Sequence, residues 1–242
     1  MYLNFIKWYN LFSIEEVEMK KKAYVPVVES ELRRRSVTMP QVIRNASGII
    51  ILNKRIKSLI FSTDIAVIHN SNPDAVMAVY PFTPTLTITQ ALMSASFVPL
   101  FIGVGGGLTS GNRSVYLALQ AELLGAYGVV VNAPIKNEVI RDMSSSLDIP
   151  VVATVVSEND DFEGKVNAGA KIFNVSGGKN TIEIVKKVRD IFGEEFPIIA
   201  TGGRTEESII KTIEAGANAI TYTPPSSAEI FSSVMQNYRE FK

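Results

Sequence analysis

Three short stretches place glycines directly after an apolar run and directly before a segment with helical spacing: "GVGGGLTSGNR" from Gly103, "SGGKN" from Ser176 and "TGGR" from Thr201. Glycine lets bare backbone N–H groups approach a ligand, and a helix start leaves its first amides unpaired at the positive end of the helix dipole. The chemistry this offers is anion binding. None of the three is a P-loop, because Gly106 to Gly111 is followed by Asn112 rather than Lys, and none matches the dinucleotide fingerprint. The second and third stretches give a candidate phosphate site of Gly177, Gly178, Gly202 and Gly203, with Arg204 or Lys179 as counter-charge. Turn geometry explains any one pair; three pairs at one rim favour ligand approach.

Groups that move protons are scarce. His69 is the single histidine. Aligning "VIHN" on "VVVN" turns Asn70 inward and His69 outward, leaving His69 either a hydrogen-bonded packing residue or a general acid/base. Glu158, in "VVSEND", is the best-placed carboxylate, either a base or a solvated acid beside a helix start. Asp160 and Asp161 follow it, so Mg stays open as a cofactor, although no metal site is assigned. Cysteine is absent, which excludes disulfides, thiolate nucleophiles and Cys-ligated zinc and fits a cytoplasmic enzyme.

The elements that must hold these residues show in a repeat. "LLGAYGVVVNA", "NAGAKIFNVSG" and "EAGANAITYTP" each stop a helical pattern at a glycine, follow it with Ala and begin an apolar run. The glycines, Gly125, Gly169 and Gly216, suit the left-handed residue that closes a helix. They lie 44 and 47 residues apart, room for two strand-plus-helix units each. Filling in the alternate units predicts strands near 49–52, 65–70, 98–104, 127–132, 149–155, 171–175, 196–201 and 218–223. Doubly apolar runs such as "IPVVATVV" suit parallel strands covered by helices. The expectation is an α/β fold, a single-domain (βα)8 TIM barrel over 38–242 with an N-terminal extension over 1–37. A helical segment from Thr38 to Ala46 is expected over the barrel floor. The long stretch "SNPDAVMAVYPFTPTL" reads as a lid or binding loop, or as hiding a short helix from Pro73 to Val79.

Strand alternation then sorts the faces. One face collects Val129, Phe173 and Ile220, with Val131, Val175 and Tyr222 further along, and suits helix packing. The other is smaller and turns polar toward the strand ends, which aims Asn132, Asn174, Ser176, Thr221 and Thr223 into the mouth, where such barrels place their active sites. A structural alternative is that these polar groups satisfy one another.

Lys plus Arg and Asp plus Glu both number 24, with no dense basic block, so no nucleic-acid partner is expected. The opening "MYLNFIKWYNLFSIEEVEMKKK" is interrupted by Lys7, Glu15 and Glu16 and is too short in its apolar part to span a bilayer. It reads as an extension against a partner subunit, which leaves a homo-oligomer open, or as a start placed too early, with Met19 and Met39 as later ones.

On "PIIATGG" followed by "EAGANAI", the last third of the chain resembles the phosphate-binding barrels that include indole-glycerol-phosphate synthase, phosphoribosylanthranilate isomerase and hexosamine-phosphate epimerases. The resemblance implies a phosphate held between the seventh-strand glycines and a short helix after the eighth strand. The chain departs from that pattern at "YTPPSSAEI", where Pro224 and Pro225 have no N–H to give and Ser226 with Glu229 reads as a capping box. Through "AVIHN", "YPFTPT", "GVGGG", "GAYGVVVNAP" and "NAITYTPPS", nearly all of 38–242 also looks like a group of short bacterial barrels loosely labelled hydrolases. The function expected is an enzyme acting on a small, phosphorylated anionic metabolite as a lyase, isomerase or hydrolase. The alternatives are an FMN-dependent oxidoreductase using the same glycines, and a barrel that senses a ligand without turning it over.

Overall fold

The computed structural model describes residues 37–240, together with positions 24, 26–28 and 30. The extension expected over 1–37 therefore lies almost wholly outside the described residues.

Eight parallel strands close a barrel in chain order: β3 (Ser58–Phe61), β4 (Ala75–Ala78), β5 (Leu100–Gly105), β6 (Gly128–Val131), β7 (Val151–Val155), β8 (Ile172–Val175), β9 (Ile198–Thr201) and β10 (Ala219–Tyr222), with β10 pairing back onto β3. Helices α1 (Ile65–His69), α2 (Leu86–Ala95), α3 (Asn112–Leu123), α4 (Asn137–Ser146), α5 (Phe162–Asn167), α6 (Thr181–Phe192), α7 (Glu206–Glu214) and α8 (Ser227–Glu240) each follow one barrel strand. This is the TIM-barrel architecture. The remaining strands, β1 (Ile49–Ile51) and β2 (Lys54–Ile56), form an antiparallel hairpin outside the barrel sheet.

The three glycines of the repeat do what their spacing predicts. Gly125, Gly169 and Gly216 have φ of 96°, 109° and 113°. In each case the glycine N–H and the next alanine's N–H bond back into the last helical turn: Gly125 to Glu122 O at 2.8 Å and Ala126 to Ala121 O at 3.0 Å, with the same pair of bonds at Gly169 and at Gly216. These are Schellman endings, and they stop α3, α5 and α7 so that the next strand begins at once.

Two units differ from the expected layout. The run "IIIL" holds a strand, but it belongs to the hairpin; the first barrel strand is the "SLIF" that comes after the hairpin. Residues 65–70 are not a strand. Asp64 accepts the N–H groups of Ala66 (2.9 Å) and Val67 (3.2 Å), and this N-cap turns "IAVIH" into a helix despite its β-branched residues. The second strand lies inside the stretch read as a loop or a short helix, at "AVMA".

The face assignment follows the strands that were placed. Leu59, Met77, Phe101, Val130, Val152, Ile172, Ile199 and Ala219 pack with Ile49, Ile51 and Ile56 of the hairpin in one buried cluster, the filling of the barrel. Val129, Val131, Phe173, Val175 and Ile220 pack against the helices instead. The floor is thus plugged by the hairpin. The 3-10 turn Gln41–Asn45, in the segment expected to cover it, buries Ile43 in the outer, helix-side cluster.

Candidate functional site

Inward positions continue up each strand by twos, so Asn174 stands above Ile172, Thr154 above Val152 and Thr221 above Ala219. All three are buried, at 7 %, 8 % and 3 % exposure. Asn174 Nδ2 donates to Thr154 Oγ1 at 3.2 Å. Asn174 Oδ1 and Thr221 Oγ1 have no hydrogen-bond partner. Leaving a buried polar atom unpaired costs about 1–3 kcal/mol, and native proteins tolerate few. The structural alternative, in which the polar layer satisfies itself, therefore holds only in part. Thr154 is not among the residues predicted for the mouth, although it is the single polar residue in "VVATVV" and alternation puts it inward.

Above this layer the rim is half-exposed. Thr201 Oγ1 donates to Ser176 Oγ at 3.4 Å, and Thr223 lies exposed beyond Tyr222. Asn132 is half-buried and held by its backbone, its N–H on Gly105 O (2.9 Å) and its carbonyl accepting from Ile135 N (3.1 Å). The loop that carries it is tied to α5 by Asn137 Nδ2 to Asp161 Oδ2 (2.7 Å) and by buried Lys165 Nζ to Ala133 O (3.3 Å).

The four rim glycines divide into two kinds. Gly177 N–H is taken by Thr181 Oγ1 (3.1 Å) and Gly202 N–H by Thr221 O (3.3 Å). A Cβ at either would meet side-chain atoms of Ile184 or Ile220 at 2.3 and 2.6 Å, so these glycines serve packing. Gly178 and Gly203 differ. Both have positive φ, 60° and 77°, both are exposed, and among the described residues their N–H groups donate to no protein acceptor. Of the four rim glycines, these two keep unclaimed amides.

At the start of the helix after the eighth barrel strand, the amides of Ser226, Ser227 and Glu229 are already taken. The capping box is formed: Ser226 N–H donates to Glu229 Oε2 at 2.7 Å and Glu229 N–H to Ser226 Oγ at 3.2 Å. The Ser226 N–H and hydroxyl hold the Glu229 carboxyl below its usual value, and the charge of Arg204 adds to this. Ser227 gives both its hydroxyl and its N–H to Asp64. Two of the protein's own carboxylates thus occupy the place where the family resemblance would put half of a phosphate site. Arg204 is exposed and faces Glu229 electrostatically.

The expected proton carriers are not gathered with these groups. His69 ends α1 and sits 3.3 Å through Nδ1 from Ala95 O and 4.6 Å between rings from Phe97, on the connection that enters β5 at the foot of the barrel. Asn70, expected inward, is instead the C-cap of α1, with Nδ2 on Ala66 O at 2.8 Å; the helix that replaced the strand removes the alternation on which that expectation rested. Glu158 is exposed and lines a surface depression with Lys187 and Ile191 of α6, its backbone carbonyl accepting from Lys187 Nζ at 2.6 Å. Asp160 accepts Val156 N–H (2.7 Å) and Ser157 N–H (3.2 Å), and Asp161 caps α5. Among the described residues no three His, Asp or Glu side chains are grouped to hold a metal ion.

On the other side of the mouth, the loops after β4 and β5 enclose a cleft of about 100 Å³ that also touches Asn132. Its β5 wall depends on glycine: a Cβ on Gly105, at φ 128°, would stand 2.5 Å from Thr109 O. No described helix is long and apolar enough to cross a membrane.

No protein-family model matches the chain, and no curated protein matches it either. Solved structures do. A phosphonopyruvate hydrolase in complex with oxalate and Mg++ is 14% identical over 83% of this chain and 84% of its own, with a TM-score of 0.56. A mandelate oxidase with an FMN adduct is 16% identical over 74% and 68%, TM-score 0.58. A dihydrodipicolinate synthase from Bacillus anthracis is 12% identical over 74% and 73%, TM-score 0.52. Their chemistries differ and their identities are low, so what this chain shares with them is the barrel.

Proposed function

We propose that the mouth binds a small phosphorylated metabolite, with its anion on the Gly178 and Gly203 amides and its hydroxyl groups on Asn174 and Thr221, and that the protein acts on it as a lyase, isomerase or hydrolase. The observation that carries this reading is the pair of buried, unpartnered oxygens, Asn174 Oδ1 and Thr221 Oγ1, beneath a rim with two unclaimed amides. A ligand that donates to the first and exchanges a hydrogen bond with the second removes a cost the fold otherwise carries. The phosphorus-bearing substrate in the name of the phosphonopyruvate hydrolase is consistent with an anion at such a mouth.

A second reading has its own observation. The inward groups at the mouth, Asn132, Thr154, Asn174, Ser176, Thr201, Thr221 and Thr223, are all non-ionisable, which suits a barrel that senses a ligand without turning it over. Glu158 on the β7–α5 loop is the proton carrier the enzymatic reading nominates, so Glu158→Gln separates the two: loss of turnover with retained binding supports catalysis. FMN, which would use the same amides, is the control titrant.

Binding is tested at Gly178, whose Cβ position has no atom within 4 Å. Asp and Asn both tolerate the left-handed backbone. Titrating the full chain with inorganic phosphate and ribose 5-phosphate, we expect Gly178→Asn to bind within severalfold of the wild type and Gly178→Asp to bind at least tenfold more weakly, roughly 1.4 kcal/mol. Equal affinities in the two variants place the anion elsewhere.

A further inference from the structure

Half of the mouth is unused by the anion. In the closed order of eight strands, β4 and β5 stand opposite β8 and β9, and the loops after β4 and β5 wall the cleft over Gly103 and Asn132. No Asp, Glu, Lys, Arg or His lines that cleft; its walls include Tyr80, Phe82, Pro84 and Leu108. Phe82 is 76 % exposed and Leu108 fully so, which is costly for large apolar side chains at a concave site. The β4 loop is built rather than slack. Tyr80 Oη accepts Thr85 N–H at 3.0 Å, and Pro81 and Pro84 each fix a backbone torsion. An apolar wall already held in place loses little entropy when a ligand settles on it.

The cleft is continuous with the polar layer. Asn132 lines it and lies one step past the Val131–Ala153 pair, which puts it beside Thr154, and Thr154 is bonded to Asn174. β5 also shifts register between Gly103 and Gly105, and Gly107, which lines the cleft, has open space where a side chain would stand.

Building on the anion reading above, we infer that the ligand is bipartite: a phosphate end on Gly178 and Gly203, and an uncharged apolar group, a ring or a hydrocarbon chain, against Phe82 and Leu108. Eight strands about 4.8 Å apart and tilted by about 36° close a cylinder roughly 15 Å across, so the two ends are joined through several bonds.

The test titrates the full chain with inorganic phosphate, with ω-phenylalkyl phosphates of one to six linker carbons, and with n-hexyl phosphate. The expected result is at least tenfold tighter binding of a phenylalkyl phosphate than of inorganic phosphate, peaking at an intermediate linker and falling on either side. The Phe82→Ser/Leu108→Ser double variant, altered only at exposed positions, brings the best phenylalkyl phosphate down to the level of inorganic phosphate. Hexyl phosphate binding as tightly as the best phenylalkyl phosphate assigns the cleft to a chain; weaker binding assigns it to a ring. Phosphate binding with no gain from any apolar tail, or a gain that survives the double variant, overturns the bipartite ligand and leaves the anion reading intact. If neither phosphate nor any tailed phosphate binds, the anion reading falls and the bipartite ligand with it.

Discussion

A threonine hydroxyl buried at 3 % exposure without a partner is a place where stability and binding pull in opposite directions. Thr221→Val keeps the shape and removes the unpaired oxygen. The ligand-free variant should be more stable by about 1 kcal/mol. For a chain of this size that is an upward shift of about 2–4 °C in the midpoint of a thermal melt. The same variant should lose part of the advantage of ribose 5-phosphate over inorganic phosphate, because the sugar hydroxyls have lost a partner. A destabilised Thr221→Val would mean that the hydroxyl is bonded within the fold, and the site would lose its main support. Asn174 and Thr221 were legible in the sequence because alternation along a strand is strict and both lie in units anchored by a helix-closing glycine. The idle amides were legible only as a group of four. Which two are idle depends on Thr181 and on the neighbouring strand, and strand alternation says nothing of those contacts.

The placed and misplaced elements differ in what marks them. Units ending in Gly125, Gly169 and Gly216 carry a stop signal with one physical meaning, and their strands fall where expected. The first two units have no such signal, and there apolar runs alone misled: "IIIL" and "IAVI" outscore "SLIF" and "AVMA" in β-propensity while the barrel uses the latter pair. The hairpin was hidden for a further reason. Its two-residue turn puts both Leu52 (φ 46°) and Asn53 (φ 63°) in the left-handed region, as a type I′ turn requires, without the Asn-Gly pair that advertises one. Leucine is strained there, and its side chain is 57 % exposed with nothing to gain. Leu52→Asn should therefore raise stability by about 0.5–1 kcal/mol in urea unfolding. Ile56→Ala, which truncates a residue at 1 % exposure in the barrel plug, should cost about 2–5 kcal/mol. If Ile56→Ala is neutral, the hairpin does not fill the barrel floor.

A closed barrel needs its first and last units joined at both the sheet and the helical layer. The sheet is joined by β10 on β3, with Thr221 beside Leu59. In the outer layer α8 has no buried residue, so packing alone holds it weakly. Asp64 supplies a polar tie: it caps α1 with Oδ1 and takes the Ser227 hydroxyl at the start of α8 with Oδ2. The Ser227 hydroxyl holds the Asp64 carboxyl below its usual value against the opposing effect of burial, with help from the amides of Val67, Ala66 and Ser227. A carboxyl lowered in the folded state contributes stability that is fully present above its unfolded value, near pH 4, and is lost as pH falls through the folded value. Asp64→Asn isolates the charge, since asparagine caps a helix about as well as aspartate. The variant should unfold at lower urea than the wild type at pH 7, and the gap should close as pH is taken below about 4. Asp64→Ala loses the cap as well, so about 1 kcal/mol of its deficit should persist at pH 3. Protection of the α8 amides in hydrogen exchange should fall with the Asn variant at neutral pH, because the tie holds that helix to the barrel. A gap between wild type and Asn variant that stays constant from pH 7 to pH 3 would show that the charge of Asp64 has no part in closing the outer layer.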